Sequence, residues 1–147
     1  MAGAEGSPMD QTVEIDARAE ALRADPESFA AMDALWRSVY ALPMWCFIAR
    51  GPDDAPTPFV GGLESGPMVF AFTTGERARA GALHAGLSDE DASRVLKVPM
   101  PAALEWIAAM GSSGVAGVVF DLPRFGYFAP LQNLLPMRDF MSANPPA

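Results

Sequence analysis

Apolar residues recur at steps of three and four in the first third of the chain and predict a helix there. The pattern begins after Asp25 and Pro26, which suit the cap and the first position of a helix, and it ends before Pro43. The apolar positions are Phe29, Met32, Leu35, Trp36, Val39 and Tyr40. They form one broad stripe, which is typical of a helix that packs on a core. Core packing is therefore the preferred interpretation of Trp36 and Tyr40, and the lining of a pocket is the alternative.

Three further stretches indicate helices. Residues 14–24 contain helix formers but few large apolar side chains, so the helix that they predict is marginal on its own. Residues 100–111 carry Pro101 in the first turn, and their apolar residues share one face. Leucines near residue 131 suggest a final helix, which is interrupted or begins afresh at Pro136.

Short apolar runs between turn residues predict strands. These runs are 44–50, 59–63, 68–72, 95–99, 115–120 and 127–129. The first three follow one another through short turns, so an antiparallel meander is the simplest arrangement. The helices between 68–72 and 115–120 permit a right-handed parallel crossover. Together these elements predict an α+β fold, with a mixed four- to five-stranded sheet flanked by helices.

The segment from Gly66 to Gly86 combines a strand, a turn and a helix near the middle of the chain. Thr73 and Glu76 have the spacing of a capping box, which predicts that the helix begins at this turn. Gly86 suits the C-terminal end of the helix, and Gly81 would allow a close approach to the sheet.

The 147 residues predict one domain over residues 12–141, with disordered tails at 1–11 and 142–147 and no internal boundary. Apolar runs are much shorter than the roughly 20 residues of a membrane helix, and the N-terminus lacks the features of a secretory signal. The single cysteine, Cys46, fits a small core residue in a reducing compartment. We therefore expect a cytoplasmic protein with no membrane contact.

The net charge of −8 is concentrated at the front of the chain. Up to Asp33 there are eight acidic and two basic residues, a net charge of −6. No basic cluster could neutralise a row of phosphates, which argues against nucleic acid as a partner. The acidic residues are interpreted as the solvated faces of helices, and a basic protein partner is the alternative.

Candidate residues for catalysis are few. One histidine, His84, and one cysteine do not make a metal-binding pattern, and no phosphate-binding loop is present. No motif places a nucleophile beside His84, and a Cys46–His84 pair would depend on the fold. We therefore expect no metal, no cofactor and no enzymatic activity.

A ligand site is conceivable at one edge of the predicted sheet. If strands 68–72 and 115–120 are parallel, Thr73, Thr74 and Asp121 follow their carboxyl ends at the same edge, where open sheets bind ligands. A helix N-terminus adds N–H donors there, and Arg77 and Arg124 are expected nearby. The sequence thus indicates a small-molecule or anion site, against the alternative that Thr73 and Glu76 only cap the helix.

A second candidate is an interaction surface late in the chain, formed by Phe125, Tyr127 and Phe128 with Met137 and Met141. Aromatic residues and methionine are enriched at interfaces. The alternative is a peripheral core beneath the last helix. The surface hypothesis implies an unidentified protein partner or a homodimer.

Several segments resemble the SseB-like family, in particular its N-terminal domain, over residues 35–140. The resemblance lies in Leu35-Trp36, in Trp45-Cys46-Phe47-Ile48, and above all in Val69-Phe70-Ala71-Phe72-Thr73 followed by Glu76-Arg77. Where family members often have an Asn-Pro pair, this chain has Asp121-Leu122-Pro123. The resemblance implies an α+β fold with a mixed sheet and transfers no catalytic residues. The resulting expectation is a non-enzymatic accessory or protein-interaction domain, with an anion-binding domain as the alternative.

Overall fold

A computed structural model describes residues 8–64 and 66–145, with side chains described from residue 11 onward. The predicted α+β class and the single mixed sheet flanked by helices are confirmed. The chain divides into two compact units, Met1–Pro43 and Met44–Ala147, where the sequence indicated no boundary.

The N-terminal unit contains two helices, α1 (Pro8–Ala24) and α2 (Phe29–Tyr40). The guanidinium of Arg18 donates to the carbonyl of Ala34 at 3.3 Å and so ties α1 to α2. Residues 8–11 belong to α1 and not to the predicted tail, whereas residues 1–7 lie outside the described part of the chain.

The predicted start of α2 at Asp25 is wrong by one turn. Ser28 is the N-cap, and its hydroxyl accepts from the backbone N–H of Ala31 at 3.0 Å. Asp25 instead accepts from the backbone N–H of Ser28 at 3.1 Å, so residues 25–28 form the turn that precedes the helix. This turn determines which residue caps the helix, and the pattern of apolar positions carries no information about the turn.

The second unit is built on a sheet of seven strands, more than the four or five predicted. They are β1 (Met44–Arg50), β2 (Thr57–Pro58), β3 (Val60–Leu63), β4 (Gly66–Phe72), β5 (Val95–Pro99), β6 (Gly117–Phe120) and β7 (Phe128–Pro130). The order is β2-β1-β4-β6-β7, with β3 also paired to β4 and β5 to β1. Strand β2 has no counterpart among the predicted runs, whereas β7 corresponds to the predicted run 127–129.

The register confirms the predicted parallel pairing of 68–72 with 115–120, but it modifies the predicted meander, because β1 and β3 each pair with β4 and not with one another. Strands β1, β3 and β4 pair antiparallel, with Cys46 opposite Phe72 in β1 and β4. Strand β6 pairs with β4 in parallel, with Ala71 opposite Phe120. The central strand β4 thus joins the meander to the crossover.

Helices α3 (Gly75–His84), α4 (Asp89–Ala92), α5 (Ala102–Ala108) and α6 (Leu131–Ala143) complete this unit, and a 3-10 helix, Ala109–Ser113, extends α5. Helix α6 passes through Pro136 without a break, and it contains residues 142–143, which were predicted to be tail. Residues 146–147 lie outside the described part.

The core has two layers because alternate residues of β1 point to opposite faces of the sheet. On one face Cys46 and Ile48 pack with Ala78 and Ala82 of α3. On the other face Trp45 meets Phe120 edge to face at 4.9 Å, and Phe47 meets Trp106 of α5 at 5.4 Å.

Gly81 confirms the predicted close approach of α3 to the sheet. A Cβ atom at this position would lie 2.5 Å from a ring carbon of Phe72 and 3.0 Å from the carbonyl oxygen of Leu122. The absence of a side chain therefore sets how near α3 comes to β4 and to the loop after β6.

Candidate functional site

The carboxyl ends of the parallel strands β4 and β6 lie side by side, as the sequence predicted. Thr73 follows β4 and Asp121 follows β6, and the backbone N–H of Asp121 donates to the carbonyl of Ala71 at 3.0 Å. The sheet thus brings together two residues that are 48 positions apart in the chain.

The carboxylate of Asp121 is the centre of a buried polar cluster. Its Oδ1 accepts from the backbone N–H of Thr73 at 2.8 Å, and its Oδ2 accepts from the Thr73 hydroxyl at 2.8 Å. Oδ2 also accepts from Nη1 of Arg77 at 2.9 Å. The Asp121 side chain is 0% exposed, so these protein donors take the place of water around a fully buried acid.

Arg77 places its positive charge against this carboxylate from the first turn of α3. The Arg77 side chain is 18% exposed, so the ion pair lies at the boundary between interior and solvent. A buried ion pair loses hydration, and its geometry must be good to offset that loss. Here the two threonine donors and the guanidinium together satisfy the acid, and the cluster fastens strand β4, helix α3 and the loop after β6 to one another.

Opposing influences act on the protonation of Asp121. Burial raises the pKa of Asp121 above its ordinary value of 3.8, and it is the largest effect. The hydrogen bonds from Thr73 and the charge of Arg77 lower the pKa but only partly offset the burial. The donors from Thr73 and Arg77 therefore stabilise the ionised form of Asp121, which burial disfavours.

The backbone of Asp121 is also unusual. Its φ of 58° lies in the left-handed region, which aspartate adopts more readily than most residues with a side chain. Its carbonyl accepts from the backbone N–H of Phe125 at 2.8 Å, which closes the loop that follows β6. The same residue thus turns the chain and anchors the turn.

The predicted capping box is wrong by one residue. Thr74 is the N-cap of α3, and its hydroxyl accepts from the backbone N–H of Arg77 at 3.1 Å. The hydroxyl of Thr73 is directed to Asp121 instead, and the side chain of Glu76 is exposed in the first helical turn. Thr74 and not Thr73 caps the helix because Asp121 provides a charged acceptor for the Thr73 hydroxyl.

The remaining predicted ligand residue, Arg124, is exposed, and its guanidinium lies 5.7 Å from the centre of the Phe125 ring. Of the five predicted residues, Thr73, Arg77 and Asp121 therefore form the cluster, Thr74 caps the helix, and Arg124 covers an aromatic ring.

The predicted aromatic surface is corrected by the structure. Phe125 is only 9% exposed, and the ring of Tyr127 stacks on that of Phe120 at 5.6 Å. Of the three, Phe128 is the exposed residue, at 50%. The alternative interpretation, a peripheral core, is therefore the better description of Phe125 and Tyr127.

Cys46 and His84 do not form a catalytic pair among the described contacts. His84 is exposed in the last turn of α3, whereas Cys46 is buried in β1. Burial raises the pKa of the Cys46 thiol to about 11; nearby Lys97 lowers the pKa and Asp121 raises it further, so the thiol stays protonated near neutral pH.

Across residues 8–64 and 66–145, no three histidine, cysteine, aspartate or glutamate side chains lie together as metal ligands. Within the same residues, no helix has both the length and the apolar character needed to cross a membrane.

A surface that the sequence pattern missed lies at the start of α2. Phe29 is 61% exposed and Met32 is 41% exposed, although both belong to the apolar stripe that predicted a core-facing helix. Leu35, Trp36 and Val39, further along the same stripe, are buried. Phe29 and Met32 lie in the first turn of α2, shortly after acidic residues. This position is the feature of the sequence that could have indicated that they are exposed.

Comparison with known proteins adds no assignment: no family model, no curated protein and no solved structure matches the chain. The resemblance to the SseB-like family therefore stays a prediction from the residues quoted above.

Proposed function

We propose that this chain is a non-enzymatic protein-interaction domain that binds its partner through the exposed apolar end of α2. The observation that carries the proposal is the exposure of Phe29 and Met32, at 61% and 41%. Apolar side chains that lie together on an exposed surface mark sites of protein–protein interaction.

The polar cluster at the sheet edge supports the same proposal. Asp121, Thr73 and Arg77 satisfy one another, so their hydrogen-bonding groups hold the fold together. A catalytic acid or nucleophile needs access to a substrate, whereas the Asp121 carboxylate has no exposed surface.

The alternative function is the binding of a small anion at the sheet edge. Such an anion would have to replace the Asp121 carboxylate at the Thr73 N–H and at the Arg77 guanidinium. The internal carboxylate has a large advantage in local concentration, because it is already part of the chain. We therefore expect phosphate and sulfate to leave the melting temperature unchanged, and a clear rise in melting temperature with either anion would favour the alternative.

Affinity purification with quantitative mass spectrometry tests the interaction proposal. The native chain is compared with Phe29→Ser/Met32→Ser and with the control Val60→Ser/Leu63→Ser, whose residues are 41% and 39% exposed on β3. We expect proteins that copurify with the native chain and the control to be lost from the α2 variant. If the three preparations capture the same proteins, the proposed surface is wrong.

A further inference from the structure

The apolar end of α2 is accompanied by a negative surface. Asp25 and Glu27 are exposed in the turn directly before the helix, four and two residues before Phe29. Residues 8–43 contain seven acidic and three basic residues, a net charge of −4. Two large apolar side chains thus follow two exposed carboxylates in a segment of net negative charge.

The positive charges of this unit are already engaged. Arg18 pairs with Glu14 at 3.0 Å, and Arg23 pairs with Glu20 at 3.4 Å. Arg37 pairs with Asp33 at 2.7 Å. All three arginines of the unit therefore contact carboxylates within it.

Phe29 and Met32 are three residues apart, so both lie on one side of α2 and form a short apolar surface along the helix. A partner helix can cover such a surface with apolar side chains that repeat at the same spacing. Charged groups at the rim of an interface mainly set which partner is chosen and how fast it associates. Here the rim at Asp25 and Glu27 favours lysine and arginine on the partner.

We propose that the surface formed by Phe29, Met32, Asp25 and Glu27 binds a cationic amphipathic segment of another protein. The inference rests on the proposed function and adds the chemistry of the partner. A second copy of this chain fits less well, because a symmetric contact would place the same acidic turn against itself. The whole chain also carries a net charge of −8, which opposes self-association at this surface.

Fluorescence anisotropy tests the inference with two labelled helical peptides, one built of leucine and lysine and the other with glutamate in place of lysine. We expect the lysine peptide to bind the full chain and the glutamate peptide not to bind. Raising the salt from about 0.05 M to about 0.5 M should weaken the binding, since exposed charges are screened over a few ångströms at high salt. Equal binding of both peptides, or no binding of the lysine peptide, overturns the inference.

Matched variants separate this surface from general attraction to an acidic protein. Asp25→Asn/Glu27→Gln should weaken binding about fivefold, in keeping with rim charges. The control Asp54→Asn/Glu64→Gln changes the net charge equally at exposed positions of the other unit, and it should change the affinity by less than about twofold. An equal loss in both variants would mean attraction by net charge alone and would overturn the inference.

The apolar contribution is tested with Phe29→Ser/Met32→Ser, for which we expect about a tenfold weaker affinity. Undiminished binding by this variant also overturns the inference. Circular dichroism of each variant checks that the helices are retained, which we expect because all the substituted side chains are exposed.

The two proposals fail in distinguishable ways. If proteins copurify in a manner that depends on Phe29 and Met32 but the lysine peptide does not bind, the interaction function stands and the cationic partner is wrong. If nothing copurifies in that manner, the interaction function itself is wrong.

Discussion

Replacing Arg77 by methionine removes the guanidinium that faces the buried carboxylate of Asp121, while most of the aliphatic stem remains. Breaking a buried ion pair by removing one partner costs about 3–5 kcal/mol in free energy of unfolding. Two hydrogen bonds from Thr73 persist here, and the Arg77 side chain is 18% exposed, so water replaces part of the lost contact. We therefore expect Arg77→Met to lower the free energy of unfolding by about 2–3 kcal/mol.

Arg79→Met is the matched control on the same helix. Arg79 pairs with Asp89 at 3.6 Å, but the two side chains are 51% and 87% exposed. Exposed ion pairs contribute about 0–1 kcal/mol, so this variant should remain close to the native protein. Urea unfolding followed by tryptophan fluorescence measures both, and the midpoint for Arg77→Met should fall by about 1–2 M.

The loss of stability caused by Arg77→Met should depend on pH. Burial raises the pKa of Asp121 above 3.8 in the folded protein, and removal of Arg77 removes both its charge and its hydrogen bond, which lower the pKa. A raised folded pKa means that the contribution of this acid to stability is fully present below its unfolded pKa and is lost as pH rises through the folded pKa. The loss in free energy of unfolding caused by Arg77→Met should therefore be largest near neutral pH and should shrink as pH falls toward 3.8.

Two results would refute this account. One is a loss for Arg77→Met no larger than that for Arg79→Met. The other is a deficit that stays constant between neutral pH and pH 4, because a protonated acid needs no cation beside it.

Three further expectations concern the same unit. Gly81→Ala should destabilise the protein by about 1–3 kcal/mol in thermal or urea unfolding, because the new Cβ would lie 2.5 Å from a ring carbon of Phe72; Gly62→Ala, with nothing within 4 Å, should not. Thr74→Ala should cost about 1 kcal/mol through the lost cap of α3, and an unchanged unfolding midpoint would contradict this assignment of the cap. Cys46 should react with iodoacetamide about a hundredfold more slowly in the folded protein than in urea at pH 8, because its pKa is raised from 9.0 to about 11; equal rates would refute its burial as a thiol.

The parallel pairing of β4 and β6 was predictable because the strands are uninterrupted apolar runs with helices between them. The meeting of Thr73 and Asp121 followed from that pairing, since the carboxyl ends of parallel strands share an edge. Whether Thr73 or Thr74 caps α3 was not predictable, because both residues carry a hydroxyl in suitable positions. The outcome is determined by the hydrogen bond between Thr73 and Asp121, which are 48 residues apart in the chain.

The surfaces were harder to predict than the sheet. A cluster of aromatic residues at 125–128 has the same composition whether it is covered or exposed, and only the stacking of Tyr127 on Phe120 distinguishes the two. Likewise, Phe29 belongs to the same helical stripe as Leu35, but it lies beyond the part of the stripe that is buried. Periodicity identifies a face of a helix, and it does not say how far along that face the core extends.

Strands β5 and β7, each paired with one neighbour among the described strands, bear on how this protein behaves at high concentration. Strand β5, which pairs with β1, carries the exposed Lys97 and ends at Pro99, and the three-residue strand β7 ends at Pro130. Short strands, lysine and proline at an edge prevent another chain from continuing the hydrogen-bond ladder. Edge-to-edge pairing of strands between molecules is therefore a poor route to aggregation for the folded protein.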